Sequence, residues 1–154
     1  MSTNVFQIFY FLFLLTNFSN ADLIKPDITL KLLDVLVLQL NSLQNNDYPY
    51  RDAGIEQTWE FAHPDNKKMT GPLEKFKQMI YSKSYEILIS HENNEITTLY
   101  ETNNKSVYKV YILSKDKKKY YYIWQIEKVL LDGYLKNCWM TTGVSGPKYL
   151  GDTI

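Results

Sequence analysis

The stretch Tyr120-Tyr121-Tyr122-Ile123-Trp124-Gln125-Ile126-Glu127-Lys128-Val129 decides how this chain is read. In an extended backbone, Tyr120, Tyr122, Trp124 and Ile126 share one face, opposite Tyr121, Ile123, Gln125 and Glu127. Aromatic and β-branched residues dominate it, so the run predicts a strand with one face against a core. A second such run occupies residues 107–113, with Tyr108, Val110 and Ile112 in phase. Between the two, Ser114-Lys115-Asp116-Lys117-Lys118-Lys119 reads as an exposed hairpin turn, its lysines a solvated loop. Asp132-Gly133 marks the next turn and residues 138–144 the last strand. Upstream, Ile96, Thr98 and Tyr100 make a strand after the polar stretch 91–94. Before that, Tyr85, Ile87 and Ile89 alternate with Ser84, Glu86 and Ser90, Leu88 being the apolar exception.

Ahead of the strands the apolar period lengthens. Residues 26–43 predict a helix starting at Pro26 or Asp27, with Ile28, Leu32, Val35, Leu36, Gln39, Leu40 and Leu43 at three- and four-residue steps. Leu30, Leu33, Val37 and Leu38 widen the stripe, so cover on more than one side is expected. A second helix is expected from Asp52 to about Ala62, stopped by Pro64. The loop Asp65-Asn66-Lys67-Lys68 leads to a third, with Gly71 as N-cap, Pro72 in the first turn and Leu73, Phe76, Met79 and Ile80 buried. Three N-terminal helices followed by four or five antiparallel strands predict an α+β domain, the helices packed on one face of a curved sheet.

Composition narrows the functions open to such a domain. Seventeen basic residues balance seventeen acidic ones among 154, which removes the electrostatic case for a nucleic-acid partner. One cysteine, Cys138, forbids an intramolecular disulfide, and two histidines leave little material for a metal site. No phosphate-binding glycine loop, zinc spacing or Ser-His-Asp order is present, so neither cofactor nor metal is expected.

Residues 1–21 carry no charged side chain, and ten of the eleven from Val5 to Leu15 are apolar. That length suits a signal peptide and is short of the roughly 20 residues a spanning helix needs. Ser19 and Ala21 fit a cleavage site, leaving residues 22–154 as a single domain in the secretory pathway, secreted or in an organelle lumen. The alternative is a membrane anchor made by an uncleaved leader. Asn104-Lys105-Ser106 is an N-glycosylation sequon in a turn, in keeping with that route.

With these residues laid out, the chain resembles a known group. Asn46-Asp47-x-Pro49, Gly54-Ile55, Phe61-Ala62-x-Pro64-x-Asn66, Gly71-Pro72-Leu73, Phe76-x-x-Met79, Trp124 and Cys138-Trp139-Met140-Thr141 with Val144 follow the order of an uncharacterised domain family. That family occurs in plants, algae and bacteria and belongs to the nuclear transport factor 2-like superfamily of cystatin-like, cone-shaped α+β folds. The resemblance covers residues 27–144. It departs at Val129, where a polar residue is usual. It implies helices wrapped over a bent sheet around a conical cavity, and it implies no catalytic residues; the superfamily holds enzymes and non-catalytic binders alike.

The candidate ligand-pocket residues are Gln39, Trp59, Tyr108, Tyr120, Tyr122 and Trp124. Their rings either line a cavity suited to a flat apolar ligand or fill the core themselves. Gln39 interrupts an apolar helix, and its amide either meets a neighbouring backbone group or points into the cavity. His63 is the candidate for a general acid or base, its alternative being a capping or surface role. His91 is expected exposed at a strand end, Asp47 and Asp52 as caps, and Cys138 as a buried small hydrophobe. The expected function is a non-catalytic module binding a small apolar ligand or a protein partner. A lyase- or isomerase-type enzyme using the aromatic-lined pocket is the alternative. A homodimer through the open sheet face is a further expectation.

Overall fold

The computed structural model describes residues 22–153. Four helices precede the sheet: α1 (Leu32–Gln44), α2 (Ala53–Glu60), α3 (Pro64–Thr70) and α4 (Leu73–Ile80), followed by a single 3₁₀ turn, Glu86–Leu88. Five strands follow, β1 (Asn93–Glu101), β2 (Lys105–Leu113), β3 (Lys118–Lys128), β4 (Trp139–Val144) and β5 (Lys148–Asp152). The leader and its cleavage site lie outside the described residues. Among those described, no helix is long and apolar enough to cross a membrane.

The sheet is antiparallel and open, in the order β1-β2-β3, and β3 is its spine. On the far edge of β3, β4 pairs with its C-terminal half and β5 with its N-terminal half. Both pairings are broken by register shifts, at Gln125/Ile126 and at Lys119/Tyr120. Such irregularities bend a strand and increase its twist, which curves the sheet toward the helices. In the β2–β3 register Tyr108 faces Trp124, Val110 faces Tyr122 and Ser106 faces Ile126. That face is buried against α1, α2 and α4, as the alternation predicts. On the outer face the Lys109 ammonium sits 4.3 Å from the centre of the Tyr121 ring.

Four local readings change. First, α1 starts at Leu32, because the Asp27 carboxylate takes the Thr29 amide (2.8 Å) and hydroxyl (2.6 Å) into a local turn that competes with helix. Among the described residues, Leu33 and Val37 then lie on an exposed side of α1, at 49% and 38% exposure, where cover on more than one side is expected. Second, among the described residues there are four helices where three are expected: residues 64–70 are helical, with Pro64 in the first turn. Third, residues 84–90 are not a strand. They close in the 3₁₀ turn that drives Leu88 into the core, and Ser90 adopts a positive φ of 55°. Fourth, β5 extends the sheet beyond Val144.

Two glycines set how closely the helices approach. A Cβ on Gly54 would lie 2.0 Å from the Ser42 carbonyl oxygen of α1, and one on Gly71 would meet the Lys67 carbonyl at 2.6 Å and the Trp59 ring at 2.8 Å. Asn46 completes the α1–α2 corner. Its backbone carbonyl accepts from the Gly54 amide (2.8 Å) and its side-chain oxygen from the Ile55 amide (3.0 Å). A single β-bridge stitches the helical layer to the sheet edge: the Thr141 amide donates to the Phe61 carbonyl and the His63 amide to the Thr141 carbonyl, both at 2.8 Å.

Candidate functional site

That bridge stands at the floor of an open cavity of about 190 Å³, walled by α1, α2, α3, α4, β3 and β4. Its apolar wall is Leu43, Phe76, Met79, Ile80 and Leu88. Its polar wall is Gln39, Thr58, Asn66 and Thr141, with Met69 at the rim, 78% exposed. The lining carries no carboxylate, imidazole, amine or thiol. Its one ionisable group is the Tyr85 phenol, pushed above its ordinary pKa by burial and donating to the Val144 carbonyl at 3.0 Å. The site is electrically neutral.

A buried relay organises the floor. The Trp124 indole N–H donates to the Thr141 hydroxyl (3.1 Å), which donates to the Gln39 side-chain oxygen (2.6 Å). The Gln39 amide nitrogen in turn donates to the Thr58 carbonyl (3.2 Å). A carbonyl can only accept, so Thr58 fixes which end of the amide is nitrogen. Gln39, Trp124 and Thr141 are each at most 3% exposed, and each polar atom in the relay has a partner. Gln39 therefore does both things open to it: it meets the backbone of a neighbouring helix, and it lines the cavity.

Of the six expected pocket residues, Gln39 and Trp124 line this cavity. Tyr108 and Tyr122 are closed into the packed core, where the Tyr122 hydroxyl donates to the Ser84 carbonyl (2.9 Å) and burial pushes its pKa up. Trp59 packs its ring 5.0 Å from that of Phe76, with the Lys67 ammonium 5.3 Å from its centre. Tyr120 stacks obliquely on Tyr149 toward the surface. Thr58, Thr141, Tyr85 and Leu88 belong to the site without having been singled out from the sequence. The hint was Leu88, which spoiled the alternation of its run.

The other candidates have structural employment. His63 caps α3: its Nδ1 accepts from the Asp65 amide (3.2 Å), and the ring is outside the cavity lining. His91 is buried, not exposed. Its Nδ1 donates to the Leu88 carbonyl (2.8 Å), so its Nε2 accepts from the Asn94 side-chain Nδ2 (2.9 Å), and burial holds its pKa below the usual value. Asp47 accepts from Asn46 (2.9 Å) and from the Asp52 amide (3.0 Å). Asp52 accepts from the Tyr81 hydroxyl, and Lys77 sits 3.7 Å from Asp52 and 2.8 Å from Glu56. Cys138 is buried beside Val129 and Met140, its thiol pushed up by burial. Asn104 is exposed in the β1–β2 turn, with its sequon serine, Ser106, tied to the Tyr100 carbonyl (2.9 Å). Among the described residues no group of three or more His, Cys, Asp or Glu side chains is placed to hold a metal ion.

Compared with protein-family models, curated proteins and solved structures, the chain gives no match.

Proposed function

We propose that this chain is a non-catalytic binding module of the nuclear transport factor 2-like type, and that the neutral cavity beneath α3 and α4 takes a small, largely apolar molecule. The observation that carries the reading is the 190 Å³ of space beside an uncharged floor whose buried polar atoms each have at least one partner. A cavity of about 150 Å³ lined by aliphatic and aromatic side chains accommodates a benzene ring, which sets the scale here at a single ring with a small substituent, roughly eight non-hydrogen atoms. A charged ligand would leave water for a wall with no counter-charge, at a cost that hydrogen bonds to neutral groups do not offset. The apolar leader and the exposed Asn104 sequon support a place of work in the secretory pathway.

The test is a thermal-shift panel of neutral single-ring compounds on the protein and on Ala62→Leu. Ala62 is 2% exposed on the cavity wall, and leucine there would fill part of the space. A ligand at ten times its Kd adds about 1.4 kcal/mol, or roughly 3–6 °C for a domain of this size. The expected result is such a shift for the parent protein and none for Ala62→Leu. No shift with any compound, or a shift that Ala62→Leu leaves intact, overturns the reading.

A further inference from the structure

The chemistry of the occupant follows from a count of hydrogen-bonding valences around the cavity, and it rests on the cavity being a ligand site. Every hydroxyl proton on the wall is already given away. Thr58 donates to the Gly54 carbonyl (2.8 Å), Thr70 to Asn66 (2.8 Å), Thr141 to Gln39 (2.6 Å), Thr142 to Gln125 (3.4 Å) and Tyr85 to Val144 (3.0 Å). The Trp124 indole proton goes to Thr141. The side-chain amides of Gln39 and Asn66 differ, because each nitrogen carries two protons and one carbonyl takes one, that of Thr58 for Gln39 and that of Thr141 for Asn66 (3.2 Å). Asn66 is half-buried, so its second proton is within reach of water, whereas that of Gln39 belongs to a side chain only 1% exposed on the cavity wall.

Spare lone pairs on buried oxygens are common, whereas spare buried N–H groups are rare. The fully buried part of the wall is thus short of one acceptor. A ligand hydroxyl would fill the place but bring a proton of its own to house. A carbonyl oxygen fills it with nothing left over.

We propose that the cavity selects a neutral, single-ring molecule bearing one carbonyl oxygen, received by the free N–H of Gln39, with the ring against Phe76, Ile80 and Leu88. Gln39 is then the specificity-determining residue, and it ties the ligand to the relay that runs through Thr141 to Trp124.

Acetophenone and α-methylstyrene test this, since they have the same shape and differ by C=O against C=CH2. Affinities are measured by titration calorimetry or Trp fluorescence on the parent and on Gln39→Met. Methionine keeps the length of the side chain, and the Thr58 carbonyl retains the Phe61 amide (3.2 Å) as a partner. The parent should bind acetophenone ~3–10-fold more tightly than α-methylstyrene, the range of one neutral hydrogen bond. Gln39→Met should lose that preference while holding α-methylstyrene, and benzoate should bind neither protein. Equal or tighter binding of α-methylstyrene by the parent overturns the assignment and leaves the cavity a plain apolar site. That measurement needs no variant, so it decides even where Gln39→Met does not fold. A preference that survives in folded Gln39→Met also overturns it, and binding of neither probe overturns the cavity reading with it.

Discussion

Thr141→Val is the substitution that asks most of the buried relay. Valine has nearly the shape of threonine, so the backbone bridge to Phe61 and His63 should persist. What is lost is the one oxygen that accepts from Trp124 and donates to Gln39, both of them 1% exposed. Each buried group deprived of its partner costs about 1–3 kcal/mol. The methyl that replaces the hydroxyl returns about 0.8 kcal/mol of apolar burial. The net loss is about 1–5 kcal/mol, centred near 3, out of a total stability of roughly 5–15 kcal/mol.

Urea unfolding at neutral pH reads this directly. With a slope of about 1–3 kcal/mol/M, the midpoint should fall by roughly 1–2 M while the slope stays unchanged. The couple to Gln39 adds a second reading. In the Thr141→Val background, Gln39→Met removes a carbonyl oxygen that has already lost its donor, so the two losses should be less than additive by at least about 1 kcal/mol. A loss under about 0.5 kcal/mol for Thr141→Val, or strict additivity with Gln39→Met, would falsify the reasoning. It would mean that water in the adjoining cavity serves both groups as well as the hydroxyl does.

Gly54→Ala should cost at least about 3 kcal/mol, at or above the usual range for overpacking, because the new methyl would stand 2.0 Å from a backbone oxygen that no side-chain rotation can move; a melting temperature unchanged from the parent would remove Gly54 as the reason α1 and α2 lie so close. His91 should make the fold acid-sensitive. Burial lowers its folded-state pKa below the unfolded value near 6.5, so its contribution is complete above about pH 6.5 and declines as pH falls toward the folded pKa. The slope is at most about 1.4 kcal/mol per pH unit. Stability measured between pH 7.5 and 5 should fall less steeply in His91→Gln, and identical slopes would count against it.

The sheet was legible because its pattern has a period of two and its side chains are large: Tyr108, Val110 and Ile112 could face only one way once Trp124 and Tyr122 did. Gln39 was legible because an amide in an apolar helix needs a reason. Thr58 and Thr141 were not, since a threonine in a helix or strand looks like any other. Only the fold brings position 141 within 2.6 Å of position 39. Residues 64–70 hid their helix behind polar composition. None of them is buried, and the helix is held by the His63 cap and by the Asn66 amide on the Thr141 carbonyl (3.2 Å). His63-Pro64-Asp65 was the available start signal, with proline in the first turn and an acid beside it. Residues 84–90 misled because alternation over a short run does not distinguish a strand from a turn that buries every third or fourth residue. His91 misled with them, since a burial of that kind depends on the turn that delivers Leu88.

The hollow itself is the strongest argument for an occupant. Empty volume inside a core costs about 24 cal/mol per Å³, so 190 Å³ left unfilled forfeits up to about 4–5 kcal/mol, less what solvent at the open mouth restores. The chain could recover part of that with one larger residue at Ala62 or Thr58, both of them on the wall and both nearly inaccessible to water. It keeps small residues there and spends its charges elsewhere. Asp52 and Glu56 both pair with Lys77 between α2 and α4, and the cavity wall is left without any. A domain with this composition and a filled core would need neither the void nor the buried relay beneath it. On the reading proposed above, a neutral ring completes the packing and its carbonyl oxygen takes the remaining Gln39 N–H.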